Sequence, residues 1–203
     1  MRILIIVICL VIASNNHAQV PKAPTEAEVR QVFNQNFGQN LLFFNPYQVP
    51  IEIERTHKSM AKKLDQWVAL GLYTKTKTRF MAEKMMYGEP REVSVGGFKY
   101  ELNQTNPWVS EQGAFYGRPN MLELFDVSTP THVGSDYYSE VYLSWYVVDM
   151  PEWIKKVDLR ERKHRQLKRA IESEKKPFEK RLYLLFREGR WQIWDEKGKQ
   201  SLF

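Results

Sequence analysis

Thr56-His57-Lys58-Ser59-Met60-Ala61-Lys62-Lys63-Leu64-Asp65-Gln66-Trp67-Val68-Ala69-Leu70-Gly71-Leu72 is followed, after a run of alternating polar and apolar residues, by Val93-Ser94-Val95-Gly96-Gly97-Phe98-Lys99-Tyr100-Glu101-Leu102. Met60, Leu64, Trp67 and Val68 recur at helical spacing and predict one apolar stripe, with Thr56 as the N-terminal cap. Gly71 is placed to stop the helix in the left-handed conformation, so that Leu72 folds back on the last turn. Beyond it Thr74, Thr76 and Thr78 alternate with Lys75, Lys77 and Arg79, as an exposed strand does with β-branched residues on one side and cations on the other. Met81, Met85, Met86 and Tyr87 fit a strand or a helical turn equally. After Gly88-Glu89-Pro90 a returning strand is predicted over about residues 92–102, bent at Gly96-Gly97.

Upstream, Thr25-Glu26-Ala27-Glu28 has the form of a capping box. Val29, Val32, Phe33 and Phe37 then share a helical face, and Gly38 closes a first helix over about residues 25–37, in the left-handed conformation. Leu41-Leu42-Phe43-Phe44 reads as an apolar link ended by Asn45-Pro46, and Pro50-Ile51-Glu52-Ile53-Glu54 as a short strand. Downstream, residues 113–117 and 121–127 are two strand candidates separated by Pro119-Asn120, and Val133-Gly134-Ser135-Asp136 is a turn. Residues 137–148 form a long strand with Val141, Leu143, Trp145 and Val147 on one face and Tyr138, Tyr142 and Tyr146 on the other. Such a strand is central or covered on both sides. At the end of the chain a two-residue Glu188-Gly189 loop sets Phe186 beside Trp191 and Leu184 beside Ile193, which brings the large apolar residues to one face.

Leu64-Asp65-Gln66-Trp67-Val68-Ala69-Leu70-Gly71-Leu72-Tyr73 resembles the helix-and-exit motif of winged-helix domains, with Phe98-Lys99-Tyr100-Glu101-Leu102 as the returning strand. Together with Phe115-Tyr116-Gly117, Trp145-Tyr146-Val147-Val148-Asp149 and Pro151-Glu152-Trp153, the chain is similar to small exported proteobacterial proteins of the CpmK type, periplasmic proteins encoded near carbapenem synthesis or resistance genes. It departs from them at Phe115, where they carry a cysteine, and at Asn103, where they carry a threonine-containing turn. The resemblance implies a periplasmic protein and lends no catalytic residues. The fold class expected is α+β: N-terminal helices with a winged-helix-like ribbon over residues 19–105, then an antiparallel sheet over residues 106–203 with a charged helical insertion before the final hairpin.

Residues 1–18 are expected to be a bacterial signal peptide: Arg2 precedes an apolar run from position 3 to 13, and Asn16-His17-Ala18 is a fair cleavage site. The run is too short to span a bilayer comfortably, so a periplasmic or secreted protein without a transmembrane segment in the mature chain is predicted. Cleavage removes Cys9, the single cysteine, and with it any route to an intramolecular disulfide. The net charge of +6 is local in origin, because residues 154–181 carry 12 Lys and Arg against 5 Asp and Glu. This segment reads as a mostly solvated basic helix in which Arg160, Arg162, Lys163, Arg165, Lys168 and Arg169 are candidate binding residues. Export disfavours nucleic acid as their target and favours an acidic protein partner or an anionic envelope component.

No nucleotide-binding loop, nucleophile elbow, zinc helix or calcium loop occurs, and no metal or cofactor is predicted. Two His/Asp pairs are weak catalytic candidates, His57 with Asp65 and His132 with Asp136, since a carboxylate can orient an imidazole base. His164 reads as one more solvated residue of the basic segment. Tyr138, Tyr142 and Tyr146, with Tyr183 and Trp194, are candidates for lining a pocket, against the commoner role of aromatics as core. The function expected is an exported, non-catalytic binding or protein-interaction protein, protective or immunity-like towards a toxin or antibiotic. The alternatives are a small hydrolase or ligand-processing enzyme with an aromatic pocket, and a structural component of the envelope.

Overall fold

The computed structural model describes residues 20–194 and 200–202; the predicted signal peptide lies outside them. The capping box forms as expected: the Glu28 amide donates to Thr25 Oγ1 at 3.3 Å and the Thr25 amide donates to the Glu28 carboxylate at 2.8 Å. It opens helix α1 (Glu26–Phe33), which runs on into a π-helical turn, Asn34–Gly38. Gly38 closes that turn without the left-handed conformation assigned to it from sequence.

The apolar link at residues 41–44 is in fact a strand, β1 (Leu42–Phe44), and β2 (Ile51–Glu54) follows as predicted. Helix α2 (Lys58–Ala69) buries Leu64 and Trp67. Its N-cap is His57 without a side-chain cap, while Thr56 turns back to Glu54 at 3.4 Å. Gly71 has φ +74°, and the amides of Gly71 and Leu72 close on Val68 O and Trp67 O at 2.9 and 3.0 Å, the doubly bonded glycine exit expected of this sequence.

The ribbon is longer and more regular than its sequence suggests. Strands β3 (Tyr73–Met86) and β4 (Glu89–Leu102) pair without interruption from Tyr73↔Leu102 to Met86↔Glu89. The methionines at 81, 85 and 86 are therefore in a strand, and the turn is Tyr87-Gly88. β2 joins β4 from Ile51↔Tyr100 to Glu54↔Gly97, so the ribbon belongs to a three-stranded sheet of its own, β2-β4-β3, and does not extend the main one.

The main sheet has seven strands. β5 (Val109–Ser110) leads into β6 (Gly113–Val127), a single strand through Pro119-Asn120 where two were expected. β1 has finished pairing by Gly117, so no strand on that side asks Pro119 for an N–H. Two bulges in β6 leave Leu122 and Phe125 out of the ladder with β8 and turned to solvent. Arg30 of α1 donates to the carbonyls of Met121 and Leu122 at 2.8 and 3.3 Å, satisfying the backbone that the first bulge frees. β7 (Thr131–Val133) turns through Gly134-Ser135 into β8 (Asp136–Val148), which is central as predicted and buries Val141, Leu143, Trp145 and Val147.

The basic segment departs most from expectation. It is a chain of short pieces: 3-10 turns at Glu152–Lys156 and Arg162–His164, helix α3 (Arg165–Ile171) and a last turn, Glu172–Glu174. It packs on the body through Ile154, His164, Leu167, Ala170 and Ser173, so it is not a solvated helix. Ser173 Oγ accepts the Val147 amide at 2.9 Å and donates to Ala170 O, which pins the segment to the end of β8. β9 (Phe178–Arg187) and β10 (Arg190–Ile193) close the sheet order β1-β6-β8-β9-β10, with Trp191↔Phe186 and Ile193↔Leu184 in the predicted register. One cluster of buried side chains runs from Val29 to Trp191. Trp67 lies within it, with the rings of Phe44, Tyr47, Tyr73, Trp153 and His164 all 5.6 to 6.4 Å from its own.

Candidate functional site

Neither predicted His/Asp pair assembles. Asp65 accepts from Lys75 Nζ at 2.8 and 2.9 Å and from Tyr100 OH at 2.8 Å. His57 is exposed and has no hydrogen bond to it. Burial pulls the Lys75 pKa down, but the hydrogen bonds to Asp65 and Tyr100 outweigh it and the net shift is upward. Lys75 also lies 4.3 Å from the Phe98 ring centre, so this carboxylate belongs to a brace between α2 and the ribbon. Asp136 is engaged by Arg187 at 2.8 Å, and His132 lies exposed with its ring against Tyr137. A base needs its orienting acid within hydrogen-bond reach, and both acids are taken by cations.

His164 reverses its expectation. It is 1% exposed, and its Nδ1 lies 2.6 Å from the Asp158 carbonyl, so Nδ1 must carry the proton. Its Nε2 has no hydrogen-bond partner and its ring stands edge-on to Phe44 and Trp67. It serves as a buried joint between the basic segment and the core. No periodic signal marks such a residue in a stretch of charges.

The six predicted binding cations divide in two. Arg160 is bound to Asp158, whose carboxyl these hydrogen bonds hold down at about 2. Lys163 lies 4.2 Å over the ring of Tyr47, and Arg169 donates to the carbonyls of Lys176 and Pro177 beside the ring of Phe178. Burial, and then the charge of Glu161, push the Tyr47 phenol up to about 12. Arg162, Arg165 and Lys168 are exposed and make no ion pair among the described residues. The predicted tyrosines sit together on one face of β8. Tyr146 accepts from Asn120, Tyr142 donates to Glu179, and Tyr138 meets Trp194 edge-on at 5.6 Å.

A concave aromatic site lies elsewhere, at the start of β6. Ala114 pairs with Phe44 of β1 on one side and with Val109 of β5 on the other. Phe43 is paired with Phe115, whose amide donates to Trp108 O at 2.7 Å. Three rings follow from this backbone arrangement. Trp108 stacks on Phe115 at 5.7 Å and 14°, and Phe43 meets Phe115 edge-on at 6.5 Å. Underneath, the Trp153 indole donates to Phe115 O at 3.1 Å and holds the strand in place. The rings line an open groove of about 420 Å³ together with Leu41 and Pro107, and the paired Arg118 and Asp149 also border it. Arg118 Nε donates to Asp149 Oδ2 at 2.8 Å, and its Nη2 reaches the same oxygen. Asp149 holds φ +56°, a conformation that aspartate tolerates better than most residues. Gly117 makes room beside this pair, since a Cβ there would come within 2.3 Å of Val147 and 2.7 Å of Val148 O.

The volume and the lining, mainly apolar and aromatic with a few polar groups, suit a small organic ligand or a single side chain of a peptide. Trp108 is 45% exposed, so a ring face is open for stacking. Sequence reading missed the site because its parts, residues 41–43, 107–118 and 149, are joined only by strand pairing. Among the described residues no group of three or more His, Cys, Asp or Glu could hold a metal ion, and no helix is long and apolar enough to cross a membrane. No protein-family model, no curated protein and no solved structure matches the chain.

Proposed function

We propose that this chain is an exported, non-catalytic binding protein whose groove at the start of β6 receives a flat apolar group attached to an anionic or amide end. The carrying observation is the half-exposed Trp108 stacked on Phe115 with Arg118 bordering the same groove. A ligand ring gains burial and offset stacking on the indole, while an attached carboxylate, sulfonate or amide carbonyl accepts from the guanidinium. What favours binding over hydrolysis is that both candidate bases lack their acids, Asp65 and Asp136 being held by Lys75 and Arg187. A protective, immunity-like role by sequestration is consistent with such a site and belongs to the same proposal.

The test is a titration with anilinonaphthalene sulfonate, a ring system bearing one anionic group. Saturable one-site binding is expected, weakened about tenfold or more by Trp108→Ala, since loss of a stacked aromatic costs on the order of 1–3 kcal/mol. Arg118→Ala should weaken it less. Non-saturable binding, or binding indifferent to Trp108→Ala in a variant with unchanged melting, would sink the proposal.

A second reading has its own observation, that Arg162, Arg165 and Lys168 make no ion pair among the described residues and stand on a segment firmly packed through His164 and Leu167. Such a fixed cationic face suits an acidic protein partner or an anionic envelope component, and it would coexist with the groove.

A further inference from the structure

β3 forms one edge of the three-stranded sheet. β4 pairs along one side of all 14 of its residues, and among the described residues no strand pairs along the other. Among the described residues the other strand edges are shorter or covered: β1 has 3 residues, β2 and β10 have 4 each, β4 is open from Glu89 to Gly96 and carries Pro90 there, and Arg30 caps the carbonyls at the β6 bulge. β3 contains no proline and no bulge. Past Gly97, where β2 ends, the ribbon is only two strands wide, and on it Met81 and Met85 are 57% and 70% exposed. A two-stranded ribbon is marginal in water, and a long regular edge is a template for another strand.

The order of charges along β3 selects the strand that fits. Lys75, Lys77, Arg79, Met81, Glu83 and Met85 alternate onto one face. Laid antiparallel against itself about a two-fold axis at Met81, the edge sets Met81 beside its own copy, Arg79 opposite Glu83 and Lys77 opposite Met85. On the other face Phe80 meets Ala82 and Thr78 meets Lys84. No like charges face each other. Moving the axis to Arg79 or to Glu83 sets a charge against itself. An axis at Phe80 sets Lys77 opposite Glu83 but leaves Arg79 facing Met81 and needs the Phe80 ring, which already lies over Gly97, and an axis at Ala82 makes no opposite-charge pair. Of these five axes only the one at Met81 pairs Arg79 with Glu83 and leaves the Phe80 ring on Gly97, so charge and packing together favour that register.

We propose that the outer edge of β3 pairs with the same edge of a second copy of this chain, antiparallel about a two-fold axis at Met81, giving a continuous six-stranded sheet across the dimer. The pairing is isologous and closed, as symmetric dimers require.

Sedimentation equilibrium of the purified protein tests it, with circular dichroism to show that each variant is folded. A dimer is expected. Glu83→Arg and Arg79→Glu, both at exposed positions, should each weaken it by about tenfold or more, because two symmetric attractions become repulsions. The double variant Arg79→Glu with Glu83→Arg should restore the dimer, since it re-forms both pairs with the signs exchanged. In a chain carrying Cys9→Ser, Met81→Cys should cross-link to itself on oxidation and Thr74→Cys should not. A parent protein that stays monomeric, a dimer indifferent to both single reversals, or a double variant as weak as the singles would overturn the proposal.

Discussion

The β3-β4 and β9-β10 hairpins turn on the same backbone geometry and live in different surroundings. Tyr87-Gly88 joins β3 to β4 with φ +54° and +85°, and Glu188-Gly189 joins β9 to β10 with φ +55° and +77°. Two positive φ values in a two-residue loop match the twist of the flanking strands. Around the second loop Leu182, Leu184 and Trp191 are buried and Phe186 packs on Trp191 at 5.2 Å. Around the first, Tyr87 is 93% exposed. A turn can thus fix the register of a hairpin in either setting. Which face means anything is decided by what covers it.

The largest expected effect follows from burial. Trp191→Ala should destabilise the protein by about 3–5 kcal/mol, from lost transfer energy and the cavity left behind, whereas Tyr87→Ala should stay within about 0.5 kcal/mol. Urea denaturation of the two variants measures both, and similar losses would break the comparison. An intermediate effect belongs to Gly97, where the ribbon leaves β2. A Cβ there would lie 2.2 Å from Ile53 O and 2.6 Å from the Phe80 ring, so the backbone must give. Gly97→Ala should cost about 1–3 kcal/mol and accelerate amide exchange in the ribbon before the C-terminal hairpin.

The smallest effect is a pH dependence. Lys84 of the ribbon donates to Glu54 of β2 at 2.6 Å, and this bond holds the Glu54 carboxyl below its ordinary value of 4.5. The folded pKa is the lower one, so the contribution of this tether is complete above about pH 4.5 and is lost as pH falls through the folded value. Ribbon amides should therefore exchange faster in acid, beyond the change in intrinsic rate, and Lys84→Ala should remove that dependence.

The contrast also explains what could be read in advance. The C-terminal hairpin was legible because Glu188-Gly189 and the alternating Leu184, Phe186, Trp191 and Ile193 gave the same register by two routes. The ribbon beyond Arg79 was ambiguous because methionine packs as readily in a helix as in a strand and nothing covers Met81 or Met85 to enforce a period of two. Pro119 suggested a strand break, and the reason it is none is that β1 ends just before it, which no local pattern announces. The groove was illegible for a related reason: Phe43, Trp108 and Phe115 carry no shared spacing, and Asp149 reaches Arg118 only through the pairing of Arg118 with Val148.

By itself the sequence determined what is closed within a few residues. The Thr25–Glu28 box, the Gly71-Leu72 exit, the Glu188-Gly189 register and the two-faced strand containing Trp145 are each set by hydrogen bonds or alternation over one or two turns of chain. The tertiary structure alone decided that the ribbon has its own sheet, that the basic segment is packed, and that His164 is a core residue. It also decided that both candidate carboxylates are spent on cations. These features rest on contacts such as Tyr47 with Glu161, Arg30 with Met121 and Trp153 with Phe115, which are 114, 91 and 38 residues apart. Such contacts come from the mutual burial of surfaces with no common period, and only the folded chain brings them together.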